Sequence, residues 1–290
     1  MDDLLVSQYC LWLGDPNRIF RNCKWVADSS TNSATLQWKL GAPNKPTGSE
    51  GPAIIGFIGM AAADGSMVKP DTCWKVSYGD FNSLKHMRVV YVGSPGFTSR
   101  ILVGWWDQRI KGSDLIIDNA RKMANGVIGR LGNNVFLNLS TFALRLRSPI
   151  FLPQSTSEEG TESYLPKTYC YPTWEFSSKS NRAVFDRVIA KGHEPQPLEA
   201  YGRHSMLIHP NQVHHALPGA IVLAYCTLER ILSGLSAQPE WQFNANLVKL
   251  QVLKQPVSVG SSKRKYYTYR YGSNNASTSG GSSSKVRKNV

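Results

Sequence analysis

RVVYVGSPGFTSRILVGWWDQRI, Arg88–Ile110, is the stretch on which the reading of this chain turns. Two apolar runs flank GSPGFTS, a segment of turn-forming residues. With an extended backbone, the second run puts Ile101, Val103 and Trp105 on one face and Leu102 and Trp106 on the other. A segment apolar on both faces predicts a strand covered from two sides. The stretch therefore reads as two strands joined by a turn.

The same alternation recurs outward from it. In TLQWKL, Leu36, Trp38 and Leu40 share a face while Gln37 and Lys39 take the other. NNVFLNLSTFALRLRSP, Asn133–Pro149, is the longest extended candidate; there Phe142, Leu144 and Leu146 alternate with Arg145 and Arg147. QFNANLVKLQVL closes the body in the same style. Ala220–Leu235 has the length of a helix and the composition of a strand; AIVLAY favours a strand running into a turn. Two short helices interrupt this pattern. GSDLIIDNARKMANG offers Ser113 or Asp114 as N-cap, with Ile116, Ala120 and Met123 on one face. NRAVFDRVIAKG groups Val184, Phe185, Val188 and Ile189 and stops at Gly192. Long Pro- and Gly-rich connections lie between the elements, and no repeat is visible. The expected fold is all-β: a single jelly-roll β-sandwich with a few short helices and long loops. Residues 1–31 form an N-terminal arm, 32–256 the jelly-roll body, and 257–290 a basic, Gly/Ser-rich flexible tail.

Charge is distributed unevenly. The formal net charge is +13, and the seven basic residues of Ser258–Val290 meet no acidic one, which leaves +6 for the preceding 257 residues. An appended basic tail on a mildly basic body selects polyanions as the partner class. Five scattered cysteines without CxxC spacing argue against a disulfide framework and fit a reducing compartment. The acidic start MDDLLV is unlike a secretory leader, and the longest apolar run is broken by Glu229 and Arg230, short of a membrane span.

Catalytic signatures are missing. GxGxxG, Walker A, GxSxG, HExxH and EF-hand patterns do not occur, and the acidic residues form no suggestive pair. His204, His209, His214 and His215 cluster, but their spacing matches no familiar zinc pattern. The chain is expected to be no enzyme, with no metal and no cofactor. Trp38, Trp74, Trp105, Trp106 and Trp241 read as core or interface residues before they read as stacking platforms. The tail offers Lys263, Arg264, Lys265, Arg270, Lys285, Arg287 and Lys288 for phosphates, with Tyr267 and Tyr269 able to stack on bases.

Taken together, SATLQWKL, RVVYVGSPGFTSRILVGWW, FLNLSTFALRLRSPIFLP and NLVKLQVL resemble jelly-roll strands. The β body with long loops and an appended basic tail resembles the coat proteins of small icosahedral, picorna-like RNA viruses. Two features depart from that family: the basic segment is C-terminal, where many such coats carry it at the N-terminus, and the N-terminus is acidic. The resemblance implies a structural subunit that assembles by lateral contacts into a shell enclosing RNA. It implies a place in the virion, assembly in the host cytoplasm, and other capsid subunits as partners, with RNA or a host-surface polyanion on the tail. Leu4, Leu5, Tyr9, Leu11, Trp12 and Phe20 are apolar for a free terminus and form the expected subunit interface. Two other readings stay open: a viral nucleic-acid-binding or transport protein acting through the tail, and a β-sandwich carbohydrate-binding protein.

Overall fold

The computed structural model describes residues 10–28, 32–43, 45, 51–72, 88–95, 100–122, 130–131, 136–138, 143–153, 166–233 and 240–256. All belong to the unit Met1–Ser258; the second unit, Val259–Val290, lies outside the described residues. The strands, in chain order, begin with β1 (Leu11–Trp12), β2 (Cys23–Ala27), β3 (Ser33–Trp38), β4 (Ile55–Ala61), β5 (Arg88–Gly93) and β6 (Arg130–Leu131). They continue with β7 (Leu137–Asn138), β8 (Ala143–Ser148), β9 (Phe151–Pro153), β10 (His193–Pro195), β11 (Ala200–Tyr201), β12 (Ile221–Ser233) and β13 (Glu240–Lys254). The helices that matter to the packing are α1 (Pro16–Asn22), α2 (Arg100–Lys122) and α3 (Lys179–Ile189).

Five strands close on themselves. β4 pairs β5, β5 pairs β8, β8 pairs β13, β13 pairs β12, and β12 returns to β4. The β8–β13 contact is parallel and the other four are antiparallel. Alternating side chains fill the interior: Phe57, Val90, Val92, Leu144, Leu146, Val222, Ala224, Phe243 and Ala245 are each 1% exposed or less. Each large one contributes about 1.5–3 kcal/mol of burial. The β12–β13 hairpin outruns this ring, and its far half pairs β3, which in turn pairs β2. The β-rich body expected from the sequence is present. The connectivity differs from the jelly roll, which sets two sheets face to face; here one sheet closes through a parallel pair.

The largest departure from expectation is α2. The sequence pattern predicts a strand for its first half and a short helix capped at Ser113 or Asp114 for its second; it is one helix of 23 residues. The run is apolar at both periods. Wound as a helix, it lays Trp106, Arg109, Ser113, Ile116 and Ala120 along one buried face at spacings of three and four. Ser113 is thus a fully buried mid-helix residue. Tertiary contact selects the helix. At Gly112 it meets the backbone of Leu13, where an added Cβ would stand 2.2 Å from the carbonyl oxygen. Arg109 is also fully buried; it donates to the carbonyl of Ile58 and lies over the ring of Trp12 at 4.7 Å, while burial pushes its pKa down to about 9.

Two shorter segments depart from expectation, and a third, Ala220–Leu235, is the strand its composition favours. Asn133–Pro149 is not one long strand: it folds back so that β7 pairs β8 antiparallel, Leu137 opposite Leu144. β3 buries Leu36 and Trp38 as expected but ends there, and Leu40 is 95% exposed. Ala220–Leu235 supplies the whole of β12 as strand, with a register shift between Tyr225 and Cys226. The second helix is where the sequence puts it. Ser178 caps α3 by accepting from Asn181 N, and Gly192 turns the chain beyond it at φ +77°. Val184, Phe185 and Val188 pack with Ile150, Phe151 and Trp174 in a satellite core. Fully buried Asp71 ties this layer down, accepting from Ser177 N (2.7 Å), Ser177 Oγ (3.1 Å) and Asn181 Nδ2 (2.8 Å).

Candidate functional site

The ring fixes which side chains point away from its core. On β5 and β8, Val90 and Val92 face Leu146 and Leu144 inside. The alternate residues Tyr91, Arg145 and Arg147 therefore lie outside, with Tyr91 directly opposite Arg145. Parallel pairing brings Asn246 of β13 beside Arg147, and the antiparallel partner of Asn244 across β12 is Glu229. Arg147 donates from Nη2 to Asn246 Oδ1 (3.1 Å) and to Glu229 Oε2 (3.4 Å). Asn244 Nδ2 donates to the same Glu229 oxygen at 3.4 Å.

Arg145 and Arg147, two residues apart on one strand, present two guanidinium groups on one face. Burial pushes the pKa of Arg147 down; Glu229 pulls it back up and Arg145 pushes it down again.

Further along β13, Lys249 lies opposite Tyr225 of β12 and near Tyr201 of β11. Its ammonium is 4.9 Å from the centroid of the Tyr201 ring and 5.9 Å from that of Tyr225. Tyr201 donates its hydroxyl to Glu199 Oε2; burial, then this bond, push its pKa up to about 12. Tyr225 is raised too, chiefly by burial. Both rings stay neutral at physiological pH, half-buried beside a cation.

Of the residues singled out in the sequence, Lys263, Arg264, Lys265, Tyr267, Tyr269, Arg270, Lys285, Arg287 and Lys288 lie outside the described residues, as do Leu4, Leu5 and Tyr9. Leu11 is 1% exposed in this chain's own core, and Trp12 and Phe20 are partly buried against that core. Trp12 also meets Trp105 edge-on at 6.0 Å. Trp38, Trp106 and Trp241 are core residues, and Trp74 lies outside the described residues.

His209 joins its own loop to the segment around Thr168. His209 donates from Nε2 to Thr168 O (2.7 Å) and accepts from Asn211 N at Nδ1 (3.2 Å); His214 stacks on His215 with centroids 3.9 Å apart. Among the described residues no group of three or more His, Cys, Asp or Glu could hold a metal, and no helix is long and apolar enough to cross a membrane. Sequence reasoning missed the Tyr201–Lys249–Tyr225 grouping, which joins three strands distant in the chain. The alternation of Arg145 and Arg147 with leucines is the sequence signal for the guanidinium pair.

No family model matches the chain, and no curated protein matches it. Among solved structures it is similar to gp2.5, a single-stranded DNA binding protein encoded by bacteriophage T7. That match has 8% identity and a TM-score of 0.34, and covers 73% of this chain and 98% of the other. A likeness of that size carries no argument about function.

Proposed function

We propose that the five-stranded ring is a barrel of the oligonucleotide/oligosaccharide-binding type and that the protein binds single-stranded nucleic acid along its outer face. Numbered along the chain, the ring strands pair first to second, second to third, third to fifth, fifth to fourth and fourth to first, with third and fifth parallel. That Greek-key closure is the connectivity of the barrel class. Arg145 and Arg147 take backbone phosphates, while Tyr91, Tyr201 and Tyr225 offer rings for stacking. The observation that carries the reading is the guanidinium pair on one strand face, with a tyrosine directly across from it. Adjacent cations fit a phosphodiester better than a neutral glycan, and the basic tail adds sequence-independent attraction.

Fluorescence anisotropy with a labelled oligothymidylate tests this across a salt series. R145Q/R147Q is expected to weaken binding and to reduce the salt slope by about 1.4, some 0.7 per lost phosphate contact on a single strand. Tyr201→Ala and Tyr225→Ala should each cost about 1–3 kcal/mol of binding. An unchanged slope and affinity in the arginine double variant would sink the proposal. Removal of residues 257–290 measures the tail separately. The coat-subunit reading has its own outcome: sedimentation of native material as uniform, RNA-shielding particles would put shell assembly in place of strand binding.

A further inference from the structure

The polar network beside the guanidinium pair has unused hydrogen-bonding capacity. Asn244 is 1% exposed, yet its Oδ1 has no partner among the described residues, and neither does the buried Nε of Arg147. The amide orientation is fixed, because turning it would aim Oδ1 at the Glu229 carboxylate. Both bonds that reach Glu229 arrive at Oε2, each at 3.4 Å, near the outer limit for such a bond. Asn246 spends its Oδ1 on Arg147, which turns its Nδ2 donors elsewhere. The carboxylate and the guanidinium remain about a quarter exposed, with side-chain accessibilities of 23% and 25%. The partly exposed carboxylate, held by two long bonds to one of its oxygens, is the group left able to accept further donors.

Resting on the strand-binding function proposed for this face, we infer that this network is a base-reading site selective for guanine in a bound single strand, with Glu229 as the specificity-determining residue. The Watson–Crick edge of guanine presents two adjacent donors, N1–H and N2–H, and one acceptor, O6. A carboxylate accepts the two donors side by side, and the Asn246 amide donates to O6. Thymine and uracil present a single N–H between two carbonyl oxygens, which the carboxylate repels. Adenine and cytosine offer one exocyclic donor beside a ring nitrogen lone pair, half of what Glu229 can take. Glu229 therefore acts less as an anchor than as a filter, since its charge opposes phosphate and rewards one base.

The test compares two labelled strands of about 15 nucleotides, one all thymidine and one with guanine at every third position. Wild type is expected to bind the guanine strand about tenfold more tightly, the range of a good bidentate base contact. Glu229→Gln should bind the thymidine strand more tightly than wild type does, because a negative charge is gone, and should lose most of the guanine preference. A residue that merely supported the fold would weaken both strands together. Asn246→Asp, which replaces the O6 donor by an acceptor, provides a second variant and should lose the same preference. Wild type binding both strands equally would overturn the inference while leaving strand binding intact. Failure to bind either strand would overturn both readings at once.

Discussion

Replacing Gly112 by alanine tests whether α2 owes its place to a glycine. The new Cβ would stand 2.2 Å from Leu13 O, and 3.3 Å from the carbon of the same carbonyl. An ordinary C···O contact is about 3.3 Å, so the helix or Leu13 must retreat by about 1 Å. Leu13 cannot give easily: it is 2% exposed and its N–H is bonded to Gly56 O at 3.0 Å. A shift of α2 would loosen Trp106, Ile116 and Ala120 from the core. Overpacking against backbone is worth about 3 kcal/mol, the upper end for inserted methyl groups. Alanine returns about 1 kcal/mol of helix propensity. The net expectation is a loss of about 2 kcal/mol, or about 4–8 °C in Tm for a domain of this size.

Gly104 is the internal control. It lies on the same helix with nothing within 4 Å of the position its Cβ would take, so Gly104→Ala should gain most of the propensity term and raise Tm by about 2–3 °C. Thermal melts by circular dichroism on the two full-length variants give the answer. Two alanines on one helix with opposite signs would support the packing. A Gly112→Ala protein as stable as wild type would refute it, because nothing could then be seated against that face.

Asp71→Ala should cost about 3 kcal/mol or more, since three donors lose a charged acceptor; urea titration with unchanged slope and a lower midpoint checks it. His214 gives a pH signature. Burial first, then His215 and Lys69, hold its folded pKa below the ordinary 6.5, against a smaller opposing pull from Glu175. The unfolded chain then takes the proton first, so this contribution is fully present above 6.5 and is lost as pH falls from there through the folded value. Melts between about pH 7.5 and about pH 5.5 should show a gentler acid decline in His214→Gln; an identical decline would remove His214 from the account.

Local pattern specified those parts of the molecule in which one period and one face were at stake. Leucines alternating with Arg145 and Arg147 already implied a strand with a cationic face, because a two-residue repeat has only two sides. The apolar group around Phe185 and the closing Gly192 marked α3 by chemistry that acts within a few residues. Arg100–Lys122 carried its cap candidates, Ser113 and Asp114, in the middle of what is one helix. Its apolar residues satisfy two periods, and the choice fell to a backbone contact of Gly112 with Leu13, almost a hundred positions away. The ring was equally hidden, since it closes through a parallel pair of β8 and β13 that no neighbouring residue can encode. The same holds for the grouping of Lys249 with Tyr201 and Tyr225, and for Glu229 meeting Arg147 and Asn244. Sequence determined which strands would carry charge, and where one helix stops. Which of those charges share a surface was decided by tertiary structure alone, because pairing and register between distant strands depend on how the whole core is filled.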